Sequence, residues 1–189
     1  EVQDYLADLF EELVKNYDID GLHYDYIRYP HEIHEVKEGY EEREERLGNW
    51  SYDAESLARF QHETGVPAPD LDPEKWSQWR ADQITNTVRK IDERVRPIDP
   101  DLIVSASVMA DPEDAKATKF QSYVEWMEKE YLDAAVTMNY TGNKELFMKR
   151  TRMLLDRRPE HGWVVTGMNF RYEDDAANQI GITREQNTD

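Results

Sequence analysis

The N-terminal residues show the spacing of an amphipathic helix. Apolar side chains recur every three or four positions, with charged residues between them. The apolar series consists of Val2, Tyr5, Leu6, Leu9, Phe10, Leu13, Val14 and Tyr17. Gly21 then opens residues 22–27, a short run rich in residues that favour strands. The pattern therefore predicts a helix, a tight turn and one buried strand.

The same alternation continues along the chain. Apolar runs at 102–108, 133–140 and 162–169 predict three more strands, and helical spacing predicts helices between and after them. Strict alternation of strands and helices favours parallel strands joined by right-handed crossovers. Two α/β scaffolds satisfy this order, a doubly wound open sheet and a (β/α)8 barrel. No glycine-rich phosphate loop follows any predicted strand, which favours the barrel.

One long polar insertion interrupts the alternation at about residues 31–75. Within it, residues 53–63 have the composition of a short helix that Gly65 would end. A connection of this length on a compact domain is more often a functional loop than an accident. We therefore treat residues 1–189 as one domain that carries a long loop insertion.

Composition narrows the function classes. Hydrophobic residues make up 39% of the chain and aromatic residues 11%, as expected of a globular domain. The formal net charge of −18 repels phosphate backbones and anionic membranes, so neither nucleic acid nor membrane is an expected partner. The absence of cysteine excludes disulfides and thiolate metal sites. No apolar run is long enough to span a membrane.

Several segments resemble one known family. The stretch Asp20-Gly-Leu-His-Tyr-Asp-Tyr-Ile-Arg-Tyr-Pro30 resembles the strand-four signature of the glycosyl-hydrolase-like family 10 barrels. Leu57-Ala-Arg-Phe-Gln-His-Glu-Thr-Gly65 is similar to that family's loop helix, and Trp79-Arg-Ala-Asp-Gln-Ile84 to the start of its next barrel helix. Leu132-Asp-Ala-Ala-Val-Thr-Met-Asn-Tyr-Thr141 is similar to strand six. The matches keep the family's order and cover nearly the whole chain.

The resemblance implies a partial TIM barrel that contains about strands four to seven with their helices. It also implies a glycoside hydrolase of the bacterial envelope, with an oligosaccharide or polysaccharide such as peptidoglycan glycan strands as substrate. An extracytoplasmic location, periplasmic or secreted, follows from the family, although the chain shows no signal peptide. Because an arc of four strands has two unpaired edges, we expect a fragment of a larger domain, or an arc completed by self-association.

Asp25 is the leading candidate for a catalytic residue. Strand parity places it on the same side as His23 and Ile27, which in a barrel is the interior. A carboxylate there can act as nucleophile, as base or as stabiliser of an oxocarbenium-like transition state. Arg28 follows in the loop and can hold Asp25 ionised or bind a substrate carboxylate or hydroxyl. The alternative is a structural pair between Asp25 and Arg28 that ties the loop to the strand.

Glycosidic cleavage usually requires a second carboxyl group. Asp111 follows the second predicted strand, at the same end of the scaffold, and is our choice. Its alternative role is to cap the helix that begins at Pro112. Other acids at this end are Glu32, Glu35, Glu173 and Asp174, whereas Asp20 and Asp133 lie at the opposite ends of their strands.

The remaining candidates are predicted to bind substrate. They are His23, Tyr29, Asn139, Tyr140 and Asn169, in addition to Arg28. Amide and phenol groups bind sugar hydroxyls, and aromatic faces stack on sugar rings. For Asn139 and Tyr140 the alternative is a buried hydrogen-bonded pair that closes the top of the barrel.

No cofactor and no metal is expected. His31-Glu-Ile-His-Glu35 does not have the zincin spacing, and a polar loop with two histidines is usually only solvated. Two functions therefore remain open, a glycoside hydrolase with Asp25 as a central carboxylate and a glycan-binding barrel without catalysis. A phosphate-handling barrel is disfavoured because a phosphate loop is lacking.

Overall fold

The computed structural model describes residues 1–30, 50–168 and 173–186, together with Thr188. Its helices are α1 (Val2–Asn16), α2 (Ala54–Thr64), α3 (Pro73–Val95), α4 (Pro112–Lys119), α5 (Tyr123–Glu128), α6 (Lys144–Leu155) and α7 (Glu173–Gln186), with a short 3-10 helix at Pro69–Leu71. Its strands are β1 (Gly21–Tyr24), β2 (Ile103–Met109), β3 (Ala134–Met138) and β4 (Trp163–Gly167). None of these helices is both long enough and apolar enough to cross a membrane.

Local sequence explains where several helices begin and end. In α2, α3, α4 and α6 a polar side chain accepts a backbone N–H bond from the first turn, which satisfies donors that have no partner inside the helix. These capping residues are Asp53, Asp72, Asp111 and Asn143. Gly65 ends α2 with a left-handed φ of 74°, as predicted from the sequence.

The four strands form one parallel sheet in the order β1-β2-β3-β4. Spatial order therefore equals chain order, so the sheet contains no switch point of the kind that a doubly wound sheet requires. Uniform right-handed crossovers then place the connecting helices on one face. The structure confirms an α/β fold of partial TIM-barrel type. The described strands form an arc and not a closed barrel.

Successive side chains along each strand point alternately to a buried face and to an open face of the sheet. Leu22, Val104, Ala135 and Val164 belong to the face that packs under the helices, and all four are buried in the main core. Their neighbours on the opposite face include Trp163, which is 47% exposed. In a closed barrel this open face would be the interior.

A second apolar cluster joins the loop region to α3. Phe60 of α2 is fully buried against Trp76 and Trp79 of α3, and the two indole rings stack at 5.1 Å. Trp79 is therefore a core residue. The part of the insertion that the structure describes is therefore packed onto the domain.

An ion-pair network lies at the amino-terminal edge of the sheet. Arg96 donates to Asp92 at 3.0 Å and to Asp133 at 2.8 Å, and Asp133 also accepts the Val104 N–H. Burial raises the pKa of Asp92 above its usual 3.8, and repulsion from Asp133 adds to this, although the bond from Arg96 opposes it. Asp133 thus ties β2, β3 and α3 together at the edge away from Asp25.

Candidate functional site

Four of the predicted site residues lie in loops that follow successive strands. Asp25 and Arg28 follow β1, Asp111 follows β2 and Tyr140 follows β3. The carboxyl ends of parallel strands share one edge, so these residues are gathered there. Parallel α/β folds place their active sites at this edge.

A strained turn carries Asp25 and Arg28. Tyr26 has a φ of 54°, a left-handed conformation that is unfavourable for a bulky residue. Its N–H donates to Asp25 Oδ1 at 2.9 Å, and its carbonyl accepts the Arg28 N–H at 2.7 Å. Strain of this kind persists only where surrounding structure enforces it, and it concentrates at functional sites.

The turn ends β1 earlier than the sequence predicts. The strand stops at Tyr24, whereas the expected strand continued to Ile27. The expectation that His23, Asp25 and Ile27 share one face is therefore wrong for Ile27, which packs against the helix-side core. Strand alternation cannot continue through the left-handed Tyr26.

Residues at the end of α4 and directly after it hold the turn in place. Tyr29 N–H donates to the Lys119 carbonyl at 3.1 Å, and the Tyr29 ring meets Phe120 edge-on at 5.1 Å. Phe120 is itself left-handed, with a φ of 55°. Tyr29 OH also contacts Ser51 Oγ at 2.8 Å, which connects the turn to the loop before α2.

Gln121 is a buried residue that the sequence did not single out. Its Oε1 accepts the Met109 N–H at 2.9 Å, and its Nε2 donates to the Ser107 carbonyl at 3.0 Å and, more weakly, to the Ile27 carbonyl at 3.5 Å. One side chain thus fixes the end of β2 and the turn after β1. A glutamine between two short helices gives no local signal of this role.

Tyr123 supports the same end of β2. Its hydroxyl donates to the Met109 carbonyl at 3.0 Å. Burial raises the pKa of Tyr123, with a contribution from the charge of Asp111. The phenol therefore remains a protonated donor at any physiological pH.

His23 lies on the open face of the sheet, between two serines of β2. Its Nδ1 and Nε2 each lie 2.9 Å from a hydroxyl, of Ser105 and Ser107 respectively. Ser105 Oγ donates to the Leu22 carbonyl at 3.3 Å, so it accepts from His23 Nδ1–H. His23 is therefore oriented by the sheet, and its substrate-binding role stays a prediction.

Asp111 serves as a helix cap. Its Oδ1 accepts the N–H groups of Glu113 and Asp114, at 3.0 Å and 3.2 Å. This is the alternative role that the sequence offered. The half-buried carboxylate nonetheless lies at the same edge as Asp25, and its catalytic role stays a prediction.

The predicted pair after β3 divides into two environments. Asn139 is fully buried, and its Nδ2 donates to the Phe147 carbonyl and to Thr151 Oγ1 of α6. Tyr140 is 56% exposed, and its Cε1 lies 3.5 Å from where a Cβ of Gly167 would stand. Asn139 thus anchors the strand end, whereas the Tyr140 ring is exposed, and the substrate-binding role of both residues stays a prediction.

Some predicted residues lie outside the described part of the chain. They are Asn169, Glu32, Glu35 and the histidines of 31–35. Among the residues that are described, no group of three or more His, Cys, Asp or Glu side chains is arranged to hold a metal.

Comparison with known proteins identifies one family. The model of a family described as glycosyl hydrolase-like 10 matches residues 1–162, and thus includes the turn after β1 and residues 119–121, which hold it. No match was found among curated proteins.

Proposed function

Since its family model matches most of the residues, the chain belongs to the glycosyl hydrolase-like 10 family, and we propose that it hydrolyses O-glycosidic bonds in a polysaccharide with Asp25 as a catalytic carboxylate. The observation that carries this proposal is the placement of Asp25. It is exposed at the carboxyl end of β1, in a strained turn that two other segments hold in place, residues 119–121 and the loop at Ser51.

The roles of the neighbouring groups follow from their positions. Asp25 is exposed, and within the described residues its carboxylate is bonded by the Tyr26 N–H alone, so it can approach an anomeric carbon or a water. Tyr140 offers an exposed ring on which a sugar can stack. Asp111 is the proposed second carboxyl group, on the neighbouring strand end, with Oδ1 held by the α4 backbone. Strands beyond the arc would complete the groove.

The proposed substrate is an envelope polysaccharide, with peptidoglycan glycan strands as the first candidate, encountered outside the cytoplasm. A second function is favoured by one observation, the capping of Asp111. If this residue serves only as a cap, Asp25 lacks its partner and the protein is a glycan-binding barrel.

One experiment separates the two functions. The full-length protein is incubated with peptidoglycan glycan strands and with neutral polysaccharides, while new reducing ends and binding are measured in parallel. The hydrolase proposal expects reducing ends to accumulate with time and enzyme concentration. Saturable binding without new reducing ends over a long incubation would instead establish the glycan-binding function.

A further inference from the structure

Arg28 presents an unused cationic group beside Asp25. Its guanidinium carbon lies 4.6 Å from the centroid of the Tyr26 ring, and its Nε is buried without a hydrogen-bond partner. Tyr26 is 72% exposed, so this stacked pair stands at the surface of the site. Within the described residues Arg28 makes no ion pair, not even with Asp25.

Arg28 differs in this respect from six other arginines of the described residues. Acidic residues outnumber basic ones by 41 to 23, so carboxylates are abundant. Other arginines pair with a carboxylate within 4 Å, and they are Arg59, Arg89, Arg94, Arg96, Arg152 and Arg157. Among the described residues Arg28 thus has no carboxylate partner beside Asp25, which leaves its guanidinium available to a partner that arrives from outside.

From this we infer that Arg28 recognises a carboxylate of the substrate, so that the site selects acidic glycans over neutral ones. The inference rests on the proposed function. A planar guanidinium binds a carboxylate through two parallel N–H···O bonds, a geometry that hydroxyl groups do not match. The guanidinium lies over the Tyr26 ring, 4.6 Å from its centroid, which places this fork beside Asp25.

Charge favours a carboxylate over a phosphate at this site. A net charge of −18 opposes every anion, and a dianion twice as strongly as a monoanion. One arginine can compensate a single negative charge. Because Asp25 is engaged by the Tyr26 N–H and not by Arg28, the guanidinium can bind substrate while Asp25 reacts.

The test compares matched substrates in the full-length protein. One oligosaccharide carries sugar carboxylates, and in its counterpart the same groups are reduced to primary alcohols. We expect the wild type to favour the acidic form in kcat/KM by about 10- to 100-fold, the range of a charge-assisted hydrogen-bonded pair. Arg28→Gln should abolish this preference by lowering kcat/KM on the acidic form alone. Arg28→Lys should retain part of it.

Arg152→Gln is the matched control, since Arg152 pairs with Asp156 on the surface of α6 and should leave the preference unchanged. A wild type that does not distinguish the substrates would overturn the inference. So would an equal loss on both substrates in Arg28→Gln, because it indicates a structural role. If no glycan is cleaved, the proposed hydrolase activity fails, and binding constants for the same oligosaccharides decide the role of Arg28 by the same criteria.

Discussion

Replacing Gln121 tests whether one buried amide holds the candidate site together. Gln121→Met keeps the length of the side chain and removes its polar atoms. The Met109 N–H and the Ser107 carbonyl then lose bonds of 2.9 and 3.0 Å in a place where Gln121 is fully buried. Each buried group left without a partner costs about 1 to 3 kcal/mol. The bond to Ile27 is 3.5 Å long and adds little.

The sum for two groups is a loss of about 2 to 6 kcal/mol in the free energy of unfolding, a large share of the total for a domain. Urea unfolding, followed by tryptophan fluorescence and far-ultraviolet circular dichroism, measures it. Gln78→Met is the matched control, because Gln78 bonds only to Asp82 on the exposed face of α3. The control should change stability by less than about 0.5 kcal/mol.

A loss below about 1 kcal/mol in Gln121→Met, with an unchanged m-value, would refute the reasoning. It would mean that water or another side chain satisfies the two backbone groups. The same variant should also lower glycan cleavage, since Gln121 fixes the end of β2, and the proposed second carboxyl group, Asp111, follows that strand.

Two further predictions follow from strain and from charge. Tyr26→Gly and Tyr26→Ala both remove the ring, but only glycine relieves the left-handed φ of 54°. The glycine variant should therefore be the more stable of the two by about 1 kcal/mol in urea unfolding. Equal stabilities would show that the turn is unstrained. Burial raises the folded-state pKa of Asp92 above 3.8. The stability that this carboxyl group contributes is therefore present below pH 3.8 and is lost as the pH rises through the folded-state pKa. Asp92→Asn should therefore gain stability relative to wild type from pH 3 to pH 6, and a difference that falls with pH would contradict this assignment.

Features set by neighbouring residues could be predicted from the sequence. Asp53 begins the helix that the sequence predicts at residues 53–63, and Asp111 fills the capping role that it offers before Pro112, because a side-chain cap bonds within one turn. The parallel order of the strands follows from alternation with helices, which leaves few connections. The family resemblance carried the choice of barrel over open sheet, and the strand order confirms it.

The remaining features depend on residues far apart in the chain. Gln121 reaches Ile27 across 94 positions, and no local pattern encodes that contact. The turn that contains the left-handed Tyr26 is held through Tyr29 by Lys119 and Phe120, so the early end of β1 could not be seen in a run of strand-forming residues. Asp111 lies where the sequence placed it, but a cap and a catalytic acid call for the same residue type at the same position.

The central claim is that Asp25 performs the chemistry, and one pair of variants tests it most directly. Asp25→Asn and Asp20→Asn make the same change at opposite ends of β1, and both carboxylates are exposed. We measure kcat on the glycan that the wild type cleaves and check folding by circular dichroism. Asp25→Asn should lower kcat by at least about 100-fold, the lower end of the contribution of a catalytic acid or base. Asp20→Asn should remain close to wild type. Full activity in Asp25→Asn, or an equal loss in both variants, would contradict the assignment.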